Sequence, residues 1–345
     1  MLLTNPLIRW VGIGVLSIGG LTTSLRGSDP VAEAMPSQTS TFTLPTPKVD
    51  LSLPSVFHAH QPATPPRAIY PLKPQEAKSS SPAFTKQTAS LLAPVAIPVA
   101  ESPYIRVKVA SHSTQLAIAA IDRGRIALPD GEIVTELTDT QPYWVSVNQD
   151  GLVIGDRVFP NGALLLPGTN GFVWVNGHWY RGRVRLVWAE GQLNAINEVD
   201  LEHYLYGVVG AEMPADWQPE ALTAQAIAAR SYALALMEQP ASLYWDMGND
   251  EAYQCYRGVE TETNTTIAAV EATRGTVLVK NGRFFLSQYA STDAISQSAH
   301  GGIGKSMSQT GAQTLAKQGA TTLQILGYYY PGSAIGILQS SGAAL

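Results

Sequence analysis

Seven alanines fall between residues 221 and 235, and an arginine, Arg230, stands among them. A helix carrying Ala221, Ala224, Ala226, Ala228, Ala229, Ala233 and Ala235 together with Leu222, Ile227 and Leu236 has no broad polar face, so it must be packed on several sides. Its start is marked by Pro219, tolerated in a first turn, and by Glu220, which suits the positive end of the helix dipole. A guanidinium inside such a helix needs a carboxylate or carbonyl partner, because burying it unpaired costs on the order of several kcal/mol.

The residues just before this helix hold the chemistry. Asp200 can cap a shorter helix whose one side carries Leu201, Tyr204, Leu205 and Val208, with Gly210 as a natural stop. Between the two helices Glu212 is expected in a turn beside Val209, Met213 and Trp217. A carboxyl among apolar neighbours is harder to ionise and can remain a proton donor near neutral pH, which is what a general acid requires. The same residues also fit a structural ion pair between Glu212 and Arg230. Asp216 is read as the cap of the helix beginning near Gln218, the other reading being a second catalytic carboxylate.

Three regions differ in composition. Arg9 precedes an apolar run over residues 10–21, and 32–34 offer a small-x-small cleavage site, so 1–34 read as an export signal or an uncleaved membrane anchor. Thirteen of the 23 prolines then fall within 35–103, amid Ser, Thr and Ala. That stretch cannot bury enough apolar surface to offset its ordering entropy and reads as a disordered, semi-extended tether. His58 and His60 within it are spaced like a metal pair, a pattern that chance supplies as readily.

From residue 104 the pattern changes to strand-like runs at 105–109, 116–120, 144–147, 152–154, 172–175 and 184–188, separated by turn residues such as Pro129-Asp130-Gly131 and Asn176-Gly177. Trp174, Trp179 and Trp188 on these runs fit sheet core, or a surface on which sugars stack. Further on, Asn281-Gly282 predicts a hairpin pairing 276–280 with 283–289. The fold class expected is α+β: a β-rich part over 104–198, then a helical core with antiparallel hairpins over 199–338, in one domain of 104–345. A net charge of -5 argues against nucleic acid, and the lone Cys255 excludes an intramolecular disulfide. Gly304-Lys305-Ser306 invites a phosphate-loop reading, but that motif needs a glycine where Ala299 stands.

The run over 204–217, Tyr-Leu-Tyr-Gly-Val-Val-Gly-Ala-Glu-Met-Pro-Ala-Asp-Trp, followed by 220–233, resembles the signature of the SpoIID/LytB family, named after stage II sporulation protein D. Tyr180-Arg181-Gly182, residues 196–202, 253–258 and 269–275, and His300-Gly301-Gly302 leading to Met307-Ser308-Gln309-Thr310-Gly311-Ala312 resemble further family segments. Residues 312–317 and 323–330 resemble its terminal helices. Members are peptidoglycan lytic transglycosylases or non-catalytic enhancers of murein amidases. The resemblance implies that Glu212 is the catalytic acid and that Arg230 matters for activity. It further implies that Arg230, Tyr206 and a loop carrying Tyr289, Ser291, Thr292, His300, Lys305, Ser308 and Gln309 hold the sugar. For His300 a bond to a backbone carbonyl is an equal reading.

No cofactor is implied. Many relatives, some of them metal-binding, have a Tyr-His-Ser-Thr segment and then a cysteine, whereas Ala290 and Asp293 stand here, so zinc is not expected. The partners implied are peptidoglycan glycan strands and, in the alternative, a murein amidase. The place implied is the exported, cell-wall side of a membrane, which the chain would touch only through an uncleaved N-terminus.

Overall fold

The strand Gln192–Asp200 runs without a break into a helix, α1 (Leu201–Glu212), and the rest of the fold is laid around this pair. Seven consecutive residues of the strand are buried, so it is covered on both faces. Its last residue, Asp200, turns the chain into α1 by accepting hydrogen bonds from the Glu202 and His203 amides at 2.9 and 3.3 Å. The computed structural model describes residues 92–99, 103–112, 114–137, 141–169, 171–249 and 252–340. The expectations for the signal or anchor and for most of the proline-rich tether lie outside those residues. Among the described residues, no helix is long and apolar enough to cross a membrane.

The fold class is α+β, with a β-rich first part followed by helices. A seven-stranded sheet runs in the order Met247–Gly248, Tyr104–His112, Gln192–Asp200, Arg183–Ala189, Ala163–Leu166, Arg125–Ala127, Ile133–Glu136. A six-stranded sheet is built from His178–Tyr180, Val173–Val175, Gln115–Ala120, Tyr143–Asn148, Gly151–Ile154 and Arg157–Phe159. Their inward residues, among them Ile105, Val107, Leu116, Ile118, Leu165 and Leu186, share one core with the helices. Trp174 and Trp179 are core, packed with Ala117, Ala119 and Val259, while Trp188 is exposed.

The helical part comprises α1, α2 (Pro219–Met237), α3 (Asn264–Ala272), a single turn α4 (Asp293–Ile295), α5 (Gln309–Lys317) and α6 (Thr322–Tyr329). Pro219 opens α2 as expected. Its cap is Gln218 rather than Asp216: the Gln218 amide donates to Gln313 Oε1 at 2.9 Å, and Asp216 is exposed. Residues 269–275, one of the family-like segments, are mostly the end of α3, which is begun by a Thr263–Thr266 capping box.

The expected hairpin at Asn281-Gly282 is corrected. The turn forms, with both residues at positive φ (53° and 75°), yet only Lys280 and Arg283 pair across it. Thr276–Val279 pairs antiparallel with Ala334–Ser340 instead. On the other side of Ala334–Ser340 lies Leu92–Val99, parallel, a strand inside the stretch read as tether. Gln288–Ala290 turns away and pairs in parallel with Ser306–Ser308.

Gly210 does not stop α1; it lets the helix approach a neighbour. A Cβ at Gly210 would stand 1.8 Å from the Thr261 carbonyl oxygen, and one at Gly207 would stand 2.5 Å from that of Gly258. The two glycines are three residues apart and face the one-turn 3-10 helix Gly258–Thr261, whose Thr261 hydroxyl donates to Gly207 O at 2.7 Å. Gly210→Ala is therefore expected to lower stability by about 1–3 kcal/mol through overpacking, although alanine is the better helix former by about 1 kcal/mol. Urea unfolding measures it, and an unchanged midpoint would refute the close approach.

Candidate functional site

Glu212 is the last residue of α1, at the negative end of its dipole, which already disfavours a carboxylate. The chain then turns at Met213, whose amide donates to Val209 O at 3.0 Å. Glu212 is half-buried, and Cys255, whose amide reaches its carboxyl, is exposed. Three donors reach it from three distant parts of the chain. The Cys255 amide donates to Oε1 at 3.0 Å and Gln309 Nε2 donates to Oε2 at 2.9 Å, while the Tyr289 hydroxyl stands near as a third donor that favours the charged form.

A carboxylate offers about four lone-pair directions, so these donors leave room for a transferable proton. Burial raises the carboxyl's pKa above the ordinary carboxylate value, and the three donors oppose this without cancelling it. The cause is desolvation and not a second acid.

These partners are delivered by the short parallel pair of strands. Tyr289 lies opposite Met307 in register, and Ala290 opposite Ser308, so α5 begins with Gln309 beside the residue that follows Tyr289. Behind Tyr289 lies Gln254, whose Nε2 donates to the Tyr289 hydroxyl at 2.8 Å and whose Oε1 accepts from the Tyr204 hydroxyl at 3.0 Å. Tyr232 of α2 faces Tyr289 with ring centroids 6.3 Å apart. Burial and then the charge of Glu212 push the Tyr289 hydroxyl well above the usual phenol value, so it stays a donor.

The other expected site residues are placed as follows. Ser291 and Lys305 are exposed, and the Ser291 carbonyl accepts from the Thr310 amide at 3.1 Å. Thr292 caps α4, accepting from the Ile295 amide at 3.3 Å. His300 Nδ1 lies 3.3 Å from Ser306 Oγ, and burial lowers its pKa. Ser308 is buried and caps α5, accepting from the Gly311 amide at 3.1 Å.

Two placements are corrections. Arg230 is fully buried and does not meet Glu212 or any open surface. Its Nε and one terminal nitrogen donate to Glu202 at 2.9 and 2.6 Å, and its terminal nitrogens also reach Thr276 O at 2.9 Å and Val270 O at 3.3 Å. Glu202 and Glu212 are ten residues apart on one helix, about 15 Å, so one guanidinium cannot serve both. Tyr206 is similarly removed: six residues before Glu212, it lies about 9 Å away along α1 and on another face. Its hydroxyl bonds to Glu271, and Arg274 donates to it at 3.4 Å.

Gln254, Tyr204 and Tyr232 were not named for the site by sequence reasoning. Tyr204 and Glu212 are eight residues apart, two turns along one helix side, and that spacing was the available signal. Gln254 carries no such mark. Among the described residues, no three His, Cys, Asp or Glu side chains gather as a metal site would need.

A stability consequence follows from the raised pKa. Glu212 holds its proton more tightly folded than unfolded, so its contribution is fully present below the ordinary carboxylate value and is lost as pH rises through the folded value. Glu212→Gln removes that loss. The variant's melting temperature relative to wild type is expected to be more favourable at about pH 8 than at about pH 4, as thermal scans across that range would show.

Comparison with known proteins bears on residues around this site. Residues 189–279 match the family described as Stage II sporulation protein, SpoIID. An uncharacterized protein of Brachyspira hyodysenteriae is 30% identical over 162 residues, covering 47% of this chain and 44% of the relative. Stage II sporulation protein D of Bacillus subtilis is 31% identical over 113 residues, covering 28% and 33%. The amidase enhancer of the same organism is 38% identical over 89 residues, covering 26% and 12%. The matches thus span less than half the length of each of these relatives. The segment that contains the central strand, α1, Glu212 and α2 is thus the part of this chain that matches the SpoIID family.

Proposed function

We propose that this chain acts on the bacterial cell wall as a peptidoglycan lytic transglycosylase, cleaving the bond between N-acetylmuramic acid and N-acetylglucosamine with Glu212 as both acid and base. The observation that carries the reading is the Glu212 carboxyl: half-buried, of raised proton affinity, held by three donors, and partnered by an amide and a phenol where a two-carboxylate hydrolase would set a second acid. One acid suffices when the nucleophile comes from the substrate. Glu212 protonates the glycosidic oxygen, whose bond to the muramic anomeric carbon breaks. The muramic C6 hydroxyl attacks that carbon, and the Glu212 carboxylate takes its proton, leaving a 1,6-anhydro ring and a regenerated acid. Intramolecular delivery gives the hydroxyl a high effective molarity.

Ser291, Thr292, His300 and Lys305, from the segment that joins the two short parallel strands, supply hydrogen bonds to the glycan in this reading. The substrate requires the chain to be on the exported side of the membrane, where a signal or anchor at 1–34 would deliver it. No cofactor takes part. A second reading, binding murein and enhancing an amidase without cleavage, is favoured by the similarity to the Bacillus subtilis amidase enhancer.

Mass spectrometry of muropeptides released from isolated glycan strands and from whole sacculi tests both. Products ending in 1,6-anhydromuramic acid support the transglycosylase, and reducing ends would replace it with a hydrolase. No release, together with faster stem-peptide removal by an added amidase, would leave the second reading.

A further inference from the structure

Gln254 is 1% exposed; its backbone leads directly into the Cys255 amide that bonds to Glu212, and its side chain meets the site at Tyr289. Its amide nitrogen has two hydrogens, and both are directed: one to Ala229 O at 3.2 Å, the other to the Tyr289 hydroxyl at 2.8 Å. Its amide oxygen accepts from the Tyr204 hydroxyl at 3.0 Å. Turning the amide over would set its oxygen against the Ala229 carbonyl, and neither group could donate. The orientation is therefore fixed by backbone. With a Gln254 hydrogen entering its oxygen, Tyr289 has a single hydrogen of its own to give, and the neighbouring Glu212 carboxyl is the acceptor that draws it.

We infer that Gln254 is a positioning residue that sets the direction of the Tyr289 hydroxyl, so that Tyr289 donates to Glu212 and does not receive its proton. The consequence for chemistry rests on the function proposed above. A general acid flanked by a hydroxyl that could accept would share its proton sideways. One flanked by a fixed donor keeps the proton for the glycosidic oxygen, and the carboxylate left behind is stabilised for its turn as base. The other titratable groups around this pair are Tyr204 of α1, Tyr232 of α2, and Tyr253 and Cys255 of the intervening loop, while α5 contributes the uncharged Gln309.

The test reads Glu212 directly, by carboxyl-carbon NMR titration of the full chain with labelled glutamate, the Glu212 signal being assigned by its loss in Glu212→Gln. Tyr289→Phe removes a donor to a carboxylate and is expected to raise the Glu212 midpoint by about one pKa unit. Gln254→Met is expected to raise it as well, and the double variant no further than Tyr289→Phe alone, since both act through one hydroxyl. Should Gln254→Met fail to fold, Gln254→Asn, which draws the amide back by one methylene, is expected to move the midpoint the same way. An unmoved midpoint in the folded Gln254 variant, or full additivity with Tyr289→Phe, overturns the inference. Because no glycan is present in this titration, absence of an anhydro product would count against the proposed function alone.

Discussion

Glu212→Gln is expected to slow formation of 1,6-anhydro ends by about 10²–10⁴-fold, while circular dichroism and glycan binding stay as in the wild type. The replacement is close to isosteric and keeps an acceptor for the Cys255 amide, and a turned Gln309 amide can accept from the new NH2, so the main loss is the transferable proton. Glu212→Asp makes the complementary case. It keeps an acid but withdraws it by a methylene from the donors at Cys255 and Gln309, and misplacement of about 1 Å costs on the order of 10²-fold. The pH dependence has a definite sign: the acid must be protonated to begin, so activity is expected to fall as pH rises through the raised Glu212 value. Full activity of Glu212→Gln on isolated strands would overturn Glu212 as the catalytic acid.

The parts of this architecture that local chemistry writes were legible beforehand. Asp200 caps α1 and Pro219 opens α2, because each acts within its own turn. The strand runs at Tyr104–His112, Gln115–Ala120, Tyr143–Asn148 and Arg183–Ala189 alternate or cluster strongly enough to be read one by one. α3 was less legible, since Thr265, Thr266, Ile267 and Val270 are residues that strands also favour, and its capping box uses Thr266 where Glu or Gln is the recognisable sign.

Pairing was harder than existence. Asn281-Gly282 makes its turn locally, but Thr276–Val279 finds a partner in Ala334–Ser340, more than fifty residues on, where Val277 and Leu278 are fully buried. The site divides in the same way. The apolar surroundings of Glu212 could be read from Val209 and Met213, one helical turn and one residue away. Tyr289 and Gln309 were reached through the family segments, not through any periodicity. Gln254 has meaning only as the meeting point of Tyr204, Ala229 and Tyr289, which come together only in the folded chain.

Removing Arg230 is expected to have the largest effect on folding, and it separates a structural residue from a catalytic one. Arg230→Met leaves the Glu202 carboxylate buried with only the Gly275 amide, at 3.2 Å, still donating to it. An uncompensated buried charge costs about 3–5 kcal/mol, much of the stability of an ordinary domain. Glu202→Leu is expected to cost a similar amount by stranding the guanidinium. The double variant Glu202→Leu/Arg230→Met should recover a large part of the loss, because an apolar pair can replace a buried ion pair. Recovery is incomplete because Thr276 O loses its donor, at about 1–3 kcal/mol for an oxygen left unsatisfied, whereas Val270 O keeps the Thr273 amide and hydroxyl at 3.1 and 3.2 Å. Arg230→Lys keeps the charge but not the two-pronged bond to Glu202, and should fall between. In all four variants, activity per folded molecule is expected to stay near wild type while urea midpoints fall, the reverse of Glu212→Gln. An Arg230→Lys protein with a wild-type midpoint and no activity would instead place the guanidinium's effect in catalysis, through the Glu202 end of α1.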